Sequence, residues 1–210
     1  MSSQEDQGKL NRRRFLAGTG LGAAAGVALE ACKPAETPQP SPPASQAEVL
    51  GPGRVPVTLQ VNGQERRIEL EPRATLAEAL RLDLGLTGTK VVCDRGACSA
   101  CTVWLDGVPV NSCMTFALDA VGRAVTTVEG LARGGELHAV QQAFVENDAA
   151  QCGFCTPGMV MSCAALLQRN PAPTLDDVRT AVSGNLCRCG TYPKVFEATL
   201  NAAKRVSGKG

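Results

Sequence analysis

The chain has 210 residues, 44% of them hydrophobic and 20% charged, enough to bury one large core or two small ones without help from cross-links. Only 3% of the residues are aromatic, which leaves no stacking platform for nucleic-acid bases. The net charge is +1, and residues 1–32 hold four of the basic and three of the acidic side chains, so the remainder is balanced and unsuited to a phosphate backbone.

In chain order, residues 1–32 read as a twin-arginine export signal. Arg12 and Arg13 form the arginine pair in NRRRFL, Phe15 and Leu16 follow, and Ala17–Leu29 is an apolar run too short and too mild to span a membrane. Such a signal predicts a periplasmic protein exported already folded. Two readings stand for its end. LEAC resembles a lipobox, which would make Cys32 a lipid anchor, although Glu30 is an unusual occupant; alternatively a peptidase cuts nearby and Cys32 is a bystander. Residues 33–53 are rich in Pro and Ser and read as an extended tether.

Residues 54–130 alternate in the manner of strands. Val55–Val61 and Arg67–Leu70 form a hairpin through Asn62-Gly63, and Thr75 caps a helix, LAEALRLDLG, that ends near Gly85. After a cysteine-rich loop, Thr102–Leu105 turns at Asp106-Gly107 into Val108–Ser112, giving a small mixed sheet with one crossing helix. Residues 131–206 switch to a helical period. Four helices are expected: LHAVQQAFVEND; Gly158–Gln168, with Thr156 as cap and Pro157 in its first turn; Leu175–Ser183 behind a Thr174/Asp177 capping box; and a last one opened by Tyr192-Pro193 and running to about Val206.

Eight of the ten cysteines fall into two sets of four. Cys93, Cys98, Cys101 and Cys113 have the C-x4-C-x2-C…C spacing of a plant-type [2Fe-2S] site. Cys152 and Cys155 enter the second predicted helix, and Cys187 and Cys189 lie between the third and fourth, so the two loops can close a second site at one end of the bundle. The positive end of the second helix favours an anionic cluster there. Zinc is the rival metal for four thiolates, but it usually takes two short knuckles, and CDRGACSAC packs three thiolates into one loop. Gly96, Ala97, Ser99 and Ala100 leave room for backbone N–H groups to approach cluster sulfur; a tight turn alone would also want small residues. Of the remaining candidates, Cys163 reads as a buried thiol, His138 as a surface residue rather than a ligand or base, and Trp104 as packing.

CDRGACSACTV, QCGFCTPGM and GNLCRCGTY, in that order, resemble the iron–sulfur subunit of the xanthine oxidase family of molybdenum hydroxylases over residues 54–206; with the twin-arginine leader, the chain looks most like the small subunit of a periplasmic aldehyde oxidoreductase. The resemblance implies an α+β chain in which a plant-ferredoxin-like β-grasp domain precedes an all-helical, four-helix-bundle-like [2Fe-2S] domain. It implies no catalytic residue on this chain. A large partner subunit holds a molybdopterin dinucleotide and oxidises an aldehyde or an N-heterocycle. Electrons pass first to the helical-domain cluster, then to the ferredoxin-like one, and on to an FAD subunit or a cytochrome c. Gln151 and Cys189 match the residues that contact the molybdopterin. A stand-alone exported carrier is the alternative, but such a carrier needs only the first cluster. Val92 and Ser99 depart from the family's usual Gly; neither removes a ligand, and both bear on the first cluster's potential or exposure.

Overall fold

A computed structural model describes residues 50–208. The twin-arginine pair, Cys32 and the tether up to residue 49 lie outside the described residues. Strand β1 (Val55–Val61) alternates buried Val57, Leu59 and Val61 with exposed neighbours, and it pairs antiparallel with β2 (Gln64–Leu70) from Val55↔Leu70 to Val61↔Gln64. The turn between them needs two left-handed residues, which Asn62 (φ 53°) and Gly63 (φ 77°) supply. Strands β3 (Thr102–Leu105) and β4 (Val108–Asn111) form the second hairpin through Asp106 and Gly107, again both at positive φ.

The two hairpins meet through a strand that the sequence pattern does not announce. β5 (Ala124–Thr126) is three residues long, parallel to β1 and antiparallel to β3, and it completes the sheet order β2-β1-β5-β3-β4. A three-residue strand is too short to show a period. The expected ten-residue helix also takes another form. A capping box between Thr75 and Glu78 starts helix α1 (Leu76–Glu78), which runs into a π turn over Ala79–Asp83, with the Leu84 N–H donating to the Ala79 carbonyl. Leu76, Leu80 and Leu84 are four apart. A 3.6-residue period would swing the third off the sheet, and the wider turn keeps all three against the same apolar core.

The helical half comprises α2 (Ala139–Glu146), α3 (Thr156–Arg169), α4 (Leu175–Ala181) and α5 (Tyr192–Ser207). α3 lies at its centre, with Met159 through Leu167 buried on every side, Cys163 among them. Complete burial pushes the Cys163 thiol up to about 12, only partly offset by the Thr199 hydroxyl, so this thiol stays protonated. His138 corrects the expectation of a surface residue. It is half-buried and caps α2, its Nδ1 accepting the Val140 N–H while the Gln141 side chain accepts the His138 N–H. Burial, helped by the Arg133 charge, pulls its pKa below the ordinary value, so the neutral acceptor form is favoured.

The two halves are knitted into one another. Trp104 belongs to the sheet by sequence, yet its ring is buried in the helical core and its Nε1–H donates to the Met161 carbonyl at 3.0 Å. Closer still, a Cβ added at Gly158 would sit 2.1 Å from the Ser99 carbonyl oxygen and 3.1 Å from the Ala100 Cα. The first turn of α3 therefore touches the backbone of the first cysteine loop, and only glycine permits it.

Gly158→Ala should consequently destabilise the fold by about 1–3 kcal/mol, because the obstructing atoms are main chain and cannot swing aside. Thermal unfolding followed together with iron content tests this; an unchanged melting temperature would show that the two halves can separate freely.

Candidate metal centres

The first cysteine loop is shaped by three left-handed residues, Asp94 (φ 52°), Gly96 (φ 70°) and Ser99 (φ 52°). Folding back in this way aims main-chain N–H groups at sulfur. The Cys93 thiol is held at about 7, chiefly by the Arg95 N–H and then by the Cys98 thiol, with the Ala97 and Cys98 N–H groups adding to it. β4 and a 3-10 turn at Ser112–Met114 bring Cys113 up to close the set. Burial pushes Cys113 up to about 11 against the pull of the Gly96 N–H, and the Cys101 and Cys93 sulfurs raise it further. Cys98, Cys101 and Cys113 are at most 7% exposed, and Cys93 is the more open member of the set.

The second set forms where the loop before α3 meets the loop before α5. Cys155, not Thr156, stands at the N-cap position, and it makes no side-chain cap bond. Burial raises the Cys155 thiol to about 12, with the Cys187 and Cys152 sulfurs adding to the rise. Burial would also raise Cys187, but the Thr191 hydroxyl and N–H, the Cys155 thiol and the Gly190 N–H together hold it at about 7. Cys152 is lowered first by the Phe154 N–H and then by the Cys189 thiol. The Cys152 N–H pulls Cys189 down, but the Cys152 thiol, burial and the Cys187 charge outweigh it and the net shift is upward.

Within each set the thiols act on one another: Cys98 on Cys93, Cys101 on Cys113, Cys187 on Cys155, and Cys152 and Cys189 on each other. Three thiols within the one loop Cys93–Cys101, with Cys113 brought up by β4 as the fourth, suit a cluster of two irons better than the two short knuckles usual for zinc. The Thr156 hydroxyl, one residue from Cys155, is buried without a partner among the described residues, as a donor facing an anionic sulfur would be. The donor sets therefore fit two [2Fe-2S] groups.

A single hydrogen bond links the sets. The Leu186 N–H donates to the Cys98 carbonyl at 3.0 Å, and Leu186 is bonded to Cys187, so one residue of each set is reached from the other through one peptide and one hydrogen bond. Asn185 reinforces the link. Its Nδ2 donates to the Ser99 carbonyl (3.1 Å), its Oδ1 accepts from Ser162 Oγ (2.9 Å), and its carbonyl accepts from the Tyr192 hydroxyl (3.1 Å), which itself accepts the Cys187 N–H (2.8 Å). Sequence reasoning did not single out Asn185, Leu186 or Thr191, and read Tyr192 only as the start of the last helix, although all four lie inside GNLCRCGTY. Gln151, Cys152 and Cys189 are exposed at the outer edge of the second set, beside Phe154 (58% exposed) and Leu186 (56%).

Comparison with known proteins matches residues 59–124 to the 2Fe-2S iron-sulfur cluster binding domain and residues 127–200 to the [2Fe-2S] binding domain. The nicotine 6-hydroxylase small subunit of Paenarthrobacter nicotinovorans is 46% identical over 74% of this chain and 94% of its own length. The aldehyde oxidoreductase iron-sulfur-binding subunit PaoA of Escherichia coli O157:H7 is 38% identical over 94% of this chain and 90% of its own. Quinoline 2-oxidoreductase from Pseudomonas putida 86 contains a chain that superposes with a TM-score of 0.71 at 43% identity, covering 74% of this chain and 97% of that one. The chain belongs to the iron–sulfur small subunits of the xanthine oxidase family of molybdenum hydroxylases. Its β-grasp half is followed by a helical [2Fe-2S] half, as in that family. As such it is an electron-transfer component of an oxidoreductase, with two [2Fe-2S] clusters, serving a larger molybdopterin-bearing subunit.

The Tyr192 hydroxyl closes the second set by serving two backbone groups at once. Tyr192→Phe leaves the Cys187 N–H and the Asn185 carbonyl unpaired, at a cost of about 1–3 kcal/mol. The second cluster should then be lost on heating before the first, which EPR of the two reduced centres reads directly; simultaneous loss would contradict the local role given to Tyr192.

Proposed function

We propose that this chain carries electrons from a molybdopterin dinucleotide on its large partner subunit, which oxidises an aldehyde or an N-heterocycle, to an FAD subunit or a cytochrome c. Cys152, Cys155, Cys187 and Cys189 hold the cluster that is reduced first, and Gln151 and Cys189 meet the molybdopterin. Cys93, Cys98, Cys101 and Cys113 hold the cluster that passes electrons on. The observation carrying this reading is the Leu186–Cys98 hydrogen bond between the sets, with exposed Cys152 and Cys189 in one set and the more open Cys93 in the other. That is the layout of a wire with an entry and an exit. A stand-alone carrier has no use for the second set. When bound, each cluster supplies a one-electron acceptor; the chain itself supplies the thiolates and the N–H donors aimed at them.

We also infer export to the periplasm by the twin-arginine route, with Cys32 as the candidate lipid anchor. Support comes from NRRRFL and from the mildly apolar run Ala17–Leu29 that follows it. Export in the folded state is physically apt, because a cluster built in the cytoplasm requires a folded protein around it.

Two experiments test these readings. In the assembled complex, Cys155→Ser should abolish substrate-driven reduction of both clusters and all turnover with the natural acceptor. Cys98→Ser should stop turnover while leaving the second cluster reducible by substrate in a single-turnover EPR measurement. Normal steady-state turnover in either variant would falsify the wire. For export, cells expressing Arg12→Lys with Arg13→Lys should retain a folded, cluster-bearing protein in the cytoplasm. The charge is conserved, so the loss would report recognition of the guanidinium groups; an undiminished periplasmic fraction refutes the signal.

A further inference from the structure

In the second set, one sulfur is served by a side chain that is not a cysteine. Thr191 Oγ1 lies 3.1 Å from Cys187 Sγ, and the Thr191 N–H points at the same sulfur from 3.5 Å. Thr191 is only 5% exposed, so water does not compete for the contact. Its placement is unusual for a threonine at the N-cap position of a helix, because its side chain makes no cap bond to α5. Pro193, in the first turn of that helix, has no N–H to offer, and the hydroxyl is turned toward the sulfur. An iron-bound thiolate carries no proton, so in the loaded protein the hydroxyl is the donor. The geometry is held from behind, where Tyr192 fixes the Cys187 N–H and the Asn185 carbonyl.

We propose that Thr191 sets the reduction potential of the second cluster, its hydroxyl donating to Cys187 Sγ and stabilising the reduced state. One-electron reduction adds a negative charge that is shared with the thiolates, so a donor to sulfur strengthens on reduction and raises the potential. Cys187 is also the residue that follows Leu186, whose N–H is bonded to the Cys98 carbonyl. The stabilised charge therefore lies on the side of the cluster that leads to the first set. Thr191 is a positioning residue: it acts on the electron through Cys187 and touches no substrate.

The inference rests on the second cluster being present and is independent of the acceptor, the substrate and the route of export. It is tested by EPR-monitored redox titration of the assembled complex, comparing wild type with Thr191→Val and Thr191→Ser. Thr191→Val keeps the shape and removes the donor. It should shift the electron equilibrium between the clusters about tenfold away from the second one, which for a one-electron couple is about 59 mV. The first cluster's midpoint should stay where it is, and Thr191→Ser, which retains a hydroxyl, should return the second cluster close to its wild-type value. Unchanged midpoints in a fully loaded Thr191→Val protein overturn the proposal, and so does an equal fall at both clusters, which a general loosening would give. Should Thr191→Val fail to retain its second cluster, Thr191→Ala is titrated in its place: a lowered second midpoint supports the bond, and an unchanged one overturns it.

Discussion

The Ser99 carbonyl is the constraint on which the rest of the molecule depends. It accepts the Thr102 hydroxyl at 2.7 Å from its own loop and the Asn185 side chain at 3.1 Å from the helical half, and Gly158 of α3 is pressed against it. A left-handed residue must stand at this point to present the carbonyl outward, and serine does so at some cost in backbone strain, since it carries a Cβ where glycine would not. Fixing this one oxygen fixes the loop that holds three thiols of the first set. It also fixes the entry of the helix that follows two thiols of the second, and through Asn185 the loop that holds the remaining two.

The electrostatics follow from the same backbone. Burial first, and then the neighbouring sulfurs, raise Cys113 and Cys155, while the Cys152 thiol is the main influence raising Cys189. The chain answers with main-chain N–H groups rather than with cationic side chains: Arg95, Ala97 and Cys98 toward Cys93, Phe154 toward Cys152, and Gly190 and Thr191 toward Cys187. Backbone dipoles suit an electron carrier. They are rigid, they do not titrate, and they need little reorganisation when the charge changes.

Interleaving, not a linker, makes the two cluster-bearing halves act as one. Trp104 is contributed by the sheet and buried among the helices, so the edge of one half completes the core of the other. The same packing brings the Leu186 N–H to the Cys98 carbonyl at 3.0 Å, between the two sets.

Much of this was legible in the sequence, because it is local. The strand pairs follow from alternation and from Asn-Gly and Asp-Gly turns, the capping boxes at Thr75 and Thr174 from short-range hydrogen bonding, and the two cysteine sets from spacing alone. What the sequence could not supply is whatever forms between residues far apart in the chain. β5 exists only because β1 and β3 offer it edges, and α1 widens into a π turn only because a sheet face must receive three leucines. His138 becomes a half-buried cap in a capping box with Gln141, whose Nε2 donates to the Val128 carbonyl. The closure of the second set from two loops, the Leu186–Cys98 bond and the turning of Thr191 from its helix to a sulfur required the packing of loops up to 86 residues apart, such as those joined by Asn185 and Ser99. Residue type and spacing determine which groups can bind iron; only the tertiary fold decides which sulfur faces which, since those contacts are set by the closure of the two halves and by no local preference.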